Sequence, residues 1–398
     1  MVGLTPDVER VLDAIYPVAR QQMAADLLAL GIRIFFASAL VQLVVLFGYF
    51  YSGAAAKVRA MLERRIAMPI VAAAAFVAIT YVAFVLFLLP LDWYAGFTVP
   101  HAFGLSAETA ATWFHDWLVA DALSLAVVLL ITLLFIHGVR RLGGRWPVAA
   151  AIVAAPLIVF GNAIFPAYVA PMFNHYTTME PSALTTSILA LAKSQGIDAS
   201  AVYEYDMSRQ TKEGDAYVAG LGPTARIAVG DNLLHDMKPD EVLYVLAHEM
   251  GHYKLGHIWW GSLYGWLGSI VGIAFIALAG GFAVRAAGPR LARGFDDPAA
   301  LPLLAALLLV FTLAAEPAAN GISRGIEHAA DAFAAEHTAL DGAGVRAFAR
   351  LGAEDLSVVH PSPLVVWYFF THPPLDERIE YAAEHDVGPG RALTGFPK

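Results

Sequence analysis

The sequence predicts a mainly α-helical, multi-pass membrane bundle carrying polar segments and a small β-sheet outside the bilayer. Three observations carry that reading. Six stretches are apolar and long enough to cross a membrane, which takes roughly 20 residues each. The 398 residues are 58% hydrophobic and 15% charged, where an average soluble domain has about 25% charged residues. Mean hydropathy is +0.60. The polar residues are gathered into two blocks, one between the fourth and fifth apolar stretches and one after the sixth.

In chain order, residues 6–30 read as an amphipathic helix leading into the membrane. Asp7, Glu9 and Asp13 make it unlike the basic start of a signal peptide. The apolar stretches are 32–51, 68–89, 120–136, 147–169, 258–284 and 300–315. Any one of them could be a buried core helix; six in a chain this poor in charge read as spans, with interiors nearly free of charge. Between the fourth and fifth, 181–195 looks helical, and 201–205, 216–219 and 226–229 look like short strands between Gly and Pro signals. The expected organisation is a four-span membrane domain at 1–169, a catalytic segment at 170–257, two further spans at 258–320, and a C-terminal catalytic segment at 321–398. The net charge of -9 argues against a nucleic-acid surface, and the absence of cysteine excludes disulfides, thiolate metal sites and a cysteine nucleophile.

The chemistry is concentrated in Ala247-His248-Glu249-Met250-Gly251-His252, inside a helical run at 239–255. Pro239 marks the entry, and Asp240 and Glu241 suit the positive dipole end of the first turn. Four residues apart, His248 and His252 share a helix face, so two imidazoles can take one metal ion. Glu249 points about 100° away, where it can reach a water on the metal without ligating it. Two imidazoles leave Zn²⁺ open to a third protein ligand and a water, as in catalytic sites.

A metzincin would need His in place of Ile258 and Gly in place of Leu255, so that pattern fails. His257 reads as a helix-end histidine. The better source of a third ligand is the polar continuation of the sixth span, from Asn320 to Asp331. There Glu327 can supply the ligand, and Asp331, four residues on, can accept the free ring N–H of a ligating histidine. Arg324 lies one turn before and Asn320 two turns before. The plainer alternative is an exposed helix face bearing an Arg–Glu pair.

These residues resemble a family. His248 to His257 is similar to the signature of the Ste24-type CAAX prenyl proteases among the M48 zinc metallopeptidases. The run 320–333 resembles the family's second motif, and two further stretches agree, 168–174 and Phe370-Thr371-His372-Pro373-Pro374. The resemblance implies one Zn²⁺ per chain on His248, His252 and Glu327, with Glu249 as general base. It implies that His372 steadies the oxyanion or substrate, and that Asp331, Arg324 and Asn320 support the site. It also implies a substrate strand lying beside Asp215, Ala216, Tyr217 and Val218, and a bundle enclosing an intramembrane chamber, so that the catalytic domain is zincin-like. Departures are Asp215 where the family has Asn, Tyr253 where eukaryotic members have Trp, and six spans where the family has seven.

The expected reaction is zinc-assisted peptide hydrolysis, removing the C-terminal tripeptide of prenylated CAAX proteins. The expected partners are a peptide or lipidated protein and the lipid bilayer, with no oligomer indicated. A broader quality-control protease of membrane proteins is the enzyme alternative, and an ion-binding transporter is the alternative of another class. Basic residues at 57–65, 140–145 and 285–293 share one side, which the positive-inside rule makes cytoplasmic. That sets the catalytic segments on the opposite side, whereas the resemblance implies a cytosolic site.

Overall fold

The computed structural model describes residues 4–220, 225–338, 340 and 342–385. A helical membrane portion carries a polar portion built on one small sheet. The strands are β1 (Tyr176–Thr178), β2 (Val202–Tyr205), β3 (Ala216–Ala219) and β4 (Arg226–Gly230), in the order β1-β2-β4-β3. β2 and β4 run parallel, while β1 on β2 and β3 on β4 are antiparallel. The last three strands match the sequence expectation within a residue, and β1 is an addition. β3 is an edge strand, with Ala216 opposite Val229 and Ala219 opposite Arg226.

The helices in the membrane half are α1 (Pro6–Ile15), α2 (Val18–Tyr51), α3 (Ala54–Arg65), α4 (Pro69–Trp93), α5 (Val99–Ala102), α6 (Ala110–Leu142) and α7 (Trp146–Ile164). Then come α8 (Ala183–Ser194), α9 (Asp231–Asp236), α10 (Pro239–Lys254), α11 (His257–Phe275), α12 (Gly281–Ala287) and α13 (Leu301–His337). The chain closes with α14 (Ala343–Glu354), α15 (Pro363–Phe369) and α16 (Leu375–His385). Residues 386–398 of the expected C-terminal segment lie outside the described residues.

Five helical stretches are long and apolar enough to cross a membrane, against the six expected. The difference lies in Ala110–Asn162, a run of 53 residues that takes in both 120–136 and most of 147–169. The turn Gly143–Arg145, with Gly143 at φ 53°, divides that run into two legs. α6 begins beside the polar portion, where Arg209 meets Asp116 at 3.2 Å, and ends where Arg140 meets Asp296 at 2.8 Å. α7 returns, and its Asn162 donates to Ser262 near the start of α11 at 3.0 Å. One span interior is also less apolar than expected, since Asp121 of α6 accepts from the Tyr81 hydroxyl of α4 at 2.8 Å.

The legs close into a ring. α2 packs on α13, α13 on α11, α11 on α7, α7 on α6 and α6 on α4, with α3 bridging α4 back to α2. Only 6% of the most apolar window is buried in Val18–Tyr51 and in Ala110–Asn162. The three basic loops share one end of the ring, tied together by Arg140 to Asp296 and by contacts of Arg293 with Glu63 and Asp297.

The amphipathic segment expected at 6–30 is divided at Pro17. The apolar face of α1 is covered by protein: Val8, Val11 and Leu12 are buried in the core of the polar portion, and α1 packs on α14 and α16. The Tyr16 hydroxyl donates to Ser357 O at 3.1 Å, and Arg20 Nε donates to Ala353 O at 2.6 Å. That core is centred on α10, which buries Val242, Tyr244, Leu246, Ala247 and Met250. Glu241, wholly buried at the start of α10, accepts the Lys238 N–H at 3.0 Å. Two arginines of α14 compensate its charge, Arg346 at 3.2 Å and Arg350 at 2.9 Å.

α10 and α13 pack closely because Gly251 has no side chain. A Cβ there would stand 3.0 Å from Phe333 Cβ, an atom fixed to the backbone. Gly251→Ala is therefore expected to cost about 1–3 kcal/mol in overpacking and to push Glu327 away from the histidines. Thermal unfolding and zinc retention in detergent check this; an unchanged midpoint with unchanged zinc would contradict it.

Candidate metal centre

The turns of α10 set His248 and His252 on one face, opposite Glu327 on the facing turn of α13. Their ligating atoms all lie within 4.8 Å of one another. His248 Nε2 is 3.0 Å from His252 Nε2, and Glu327 Oε2 is 3.3 Å from the first and 3.5 Å from the second. Bonds of 2.0–2.1 Å to a tetrahedral Zn²⁺ require ligand–ligand edges of about 3.3 Å. Glu327 Oε2 is buried with no hydrogen-bond donor, although imidazole nitrogens surround it. A carboxylate oxygen stranded among nitrogens in this way is what a cation at the centre of the triad satisfies. The residues fit zinc, and no other such group of His, Asp and Glu occurs among the described residues.

The ligands are held from behind. Asp331 Oδ1 lies 2.8 Å from His248 Nδ1 and is fixed by Arg378 of α16, whose Nε and Nη2 donate to its two oxygens at 2.9 and 2.7 Å. His257, expected as a bystander, is within hydrogen-bond distance of His252, Nδ1 to Nδ1 at 2.9 Å. Gly256, at φ 67°, ends α10 and starts α11, which swings His257 back towards His252. Each of the two histidines thus turns Nε2 to the centre of the triad, where a metal would be held, and Nδ1 to a neighbour that can orient the ring.

Glu249 lies off the triad, its Oε1 3.9 Å from His248 Nε2. Burial raises its carboxyl above the usual glutamate range, and nearby Asp215 and Glu327 add to the rise. For His248, burial opposes the charged ring, but the contacts with Asp331 and Glu327 outweigh it and push the imidazole up to about 9. Two carboxylates crowd one histidine, an excess of negative charge that suits a dication. Asp215 is also raised by burial, and one of its oxygens accepts from the Tyr205 hydroxyl at 2.7 Å.

His372 is brought to the triad, with Nε2 3.3 Å from Glu327 Oε2 and Nδ1 2.9 Å from the Thr371 hydroxyl. Burial holds it below the usual imidazole range. Asn320 and Arg324, expected to support the site, bond to the backbone of the segment before His372. Asn320 donates to Tyr368 O at 2.5 Å, and Arg324 donates to Val366 O and Phe370 O at 2.9 and 2.6 Å. They clamp the segment that delivers His372 and make no described contact with the ligands. Asp215, Ala216, Tyr217 and Val218 lie at the start of the edge strand β3, which packs on α10.

Arg378, His257, Tyr205 and Thr371 were not singled out from the sequence as site residues. Gly256 was the available signal for His257, because a glycine one residue earlier ends the helical spacing that made His257 face away. Arg378 gives no local signal. Its loss is nonetheless expected to matter: Arg378→Ala should lower zinc affinity about 10- to 100-fold, as for other outer partners of metal ligands. Chelator competition measures this, and an unchanged affinity would assign Arg378 to packing alone.

A ring of membrane legs that carries a His-His-Glu triad on two of its helical continuations defines a membrane-embedded zinc metallopeptidase. The chain belongs to peptidase family M48: the model for that family matches residues 180–386, and the model described as CAAX prenyl protease N-terminal, five membrane helices, matches residues 7–175. It is 31% identical to the uncharacterized metalloprotease YhfN of Bacillus subtilis over 347 residues, 85% of this chain and 79% of that protein. It is 27% identical to CAAX prenyl protease 1 of Saccharomyces cerevisiae, over 74% of this chain and 69% of that one. The fold is that of the crystal structure of S. mikatae Ste24p, at TM-score 0.73 and 21% identity, covering 94% of this chain and 93% of that chain.

Proposed function

We propose that this metallopeptidase removes the C-terminal tripeptide of isoprenylated CAAX proteins. The observation that carries the reading is the position of the triad at the membrane ring. α13 enters the ring directly, and α10 does so through Gly256 and α11. The resemblance to CAAX prenyl proteases implies a chamber between the legs, in which a prenyl chain avoids water while the peptide reaches the triad. The 27% similarity to a yeast CAAX prenyl protease agrees with this substrate class.

Zinc, when bound, supplies Lewis acidity, polarising the scissile carbonyl and acidifying water towards a pKa of about 7. The chain's own residues do the rest. The substrate peptide extends along the free edge of β3 at Ala216, Tyr217 and Val218, held through backbone hydrogen bonds that read little side-chain sequence. Glu249 takes a proton from the attacking water and passes it to the leaving amine; its burial makes it a stronger base than an exposed glutamate. Oriented by the contact of Nδ1 with the Thr371 hydroxyl, His372 donates from Nε2 to the oxyanion. Asp215, tied to Tyr205, positions the strand and leaves the oxyanion to His372.

A farnesylated CAAX peptide and its unprenylated twin, incubated with the zinc-loaded enzyme, test the substrate. Cleavage of the farnesylated peptide alone is expected. Equal cleavage of both would instead favour a broader quality-control protease, and cleavage of neither would overturn the reading.

A further inference from the structure

A second feature lies at the opposite end of the ring. An open cleft of about 460 Å³ is lined by the turn between α6 and α7, by the stretch ending in α12 and by the loop at 288–295. Its apolar wall comes from Val139, Trp146, Ala277 and Val284, and its lining includes two cations, Arg285 and Arg293, and no acid. Arg293 is engaged by Glu63 and Asp297. Arg285 has no ion-pair partner among the described residues and is exposed. The nearby carboxylate, Asp296, is already neutralised by Arg140 at 2.8 Å. Arg141, Arg145 and Arg290, in the same loops, are exposed and also lack an ion-pair partner among the described residues.

We propose that this cleft binds the headgroup of an anionic phospholipid. Its volume falls within the roughly 300–1,000 Å³ typical of small-ligand sites. Its place is at the ends of membrane legs, where lipid phosphates lie and where basic pockets between helices capture them. The flanking surface suits the rest of the lipid. Leu278 and Phe282, next in sequence to lining residues Ala277 and Gly281, are 75% and 68% exposed. Acyl chains lying along these side chains bring the phosphate to Arg285, in the last turn of the short helix α12. A soluble phosphate would meet the same arginine but would leave the apolar flank uncovered.

The full chain, purified in detergent and delipidated, is mixed with dioleoyl phosphatidylglycerol or dioleoyl phosphatidylcholine, and native mass spectrometry reads the lipid retained. Phosphatidylglycerol is expected to be retained about fivefold more, the factor one interfacial arginine supplies. Arg285→Gln should abolish that preference and Arg285→Lys keep it, with peptide cleavage unchanged in both. Ala277→Phe, which fills the cleft without altering charge, should lower phosphatidylglycerol retention. Equal retention of the two lipids, or an unchanged preference in Arg285→Gln, would overturn the proposal. So would displacement of the lipid by free glycerol 3-phosphate, which would assign the cleft to a soluble anion. Cleavage assays and zinc content are read on the same samples, so failure here is separable from failure of the peptidase reading.

Discussion

Glu249→Gln is expected to keep one zinc per chain while lowering kcat by about 10²- to 10⁴-fold, the usual range for a positioned general base. The amide has the size of the carboxylate but cannot take the proton from water. His248, His252 and Glu327 meet one another without Glu249, which stands 3.9 Å from the nearest ligating nitrogen. Metal content should therefore be unaffected. Zinc analysis and single-turnover cleavage on one preparation decide the matter. Retained turnover would remove Glu249 from the chemistry, and lost zinc would make it a ligand.

Glu327→Ala should have the opposite signature, losing the metal along with the activity. Two imidazoles remain, and affinity should fall by more than about 100-fold, beyond what loss of an outer partner such as Arg378 causes. The helix itself should persist, because α13 is held by buried Ala330, Phe333 and Ala334, with Phe333 against Gly251 of α10, and not by Glu327. Titration with a fluorescent zinc chelator separates the two variants. Affinity within a factor of a few of the wild type would mean that another side chain completes the site.

The membrane character of the chain and the paired histidines were legible in the sequence because both are local patterns. Apolar runs report spans directly, and a four-residue interval on a helix needs no tertiary knowledge to be read. Glu327 was legible for the same reason, as an acid one helical turn before Asp331. Features that depend on a change of direction were harder to see. Gly256 re-aims His257, one residue whose effect is three-dimensional, whereas the turn at Gly143 falls in the basic loop expected between the third and fourth spans. Arg378 was illegible because its partner Asp331 is 47 residues away in sequence. The docking of α1 was missed for a related reason: an amphipathic helix has an apolar face, but its sequence does not say whether lipid or protein covers it.

α13 is a helix of 37 residues with Pro317 inside it, about 56 Å long at 1.5 Å per residue, nearly twice the roughly 30 Å hydrocarbon core. One metal ligand therefore rides on the outer arm of a lever whose inner arm is set in lipid. The two histidines ride on another, jointed at Gly256. Membranes of different thickness tilt long helices by different amounts. A small change in angle at the bilayer becomes a displacement of Glu327 relative to the imidazoles. The rate of the reaction is therefore expected to depend on acyl-chain length, which assays in thin and thick bilayers would show.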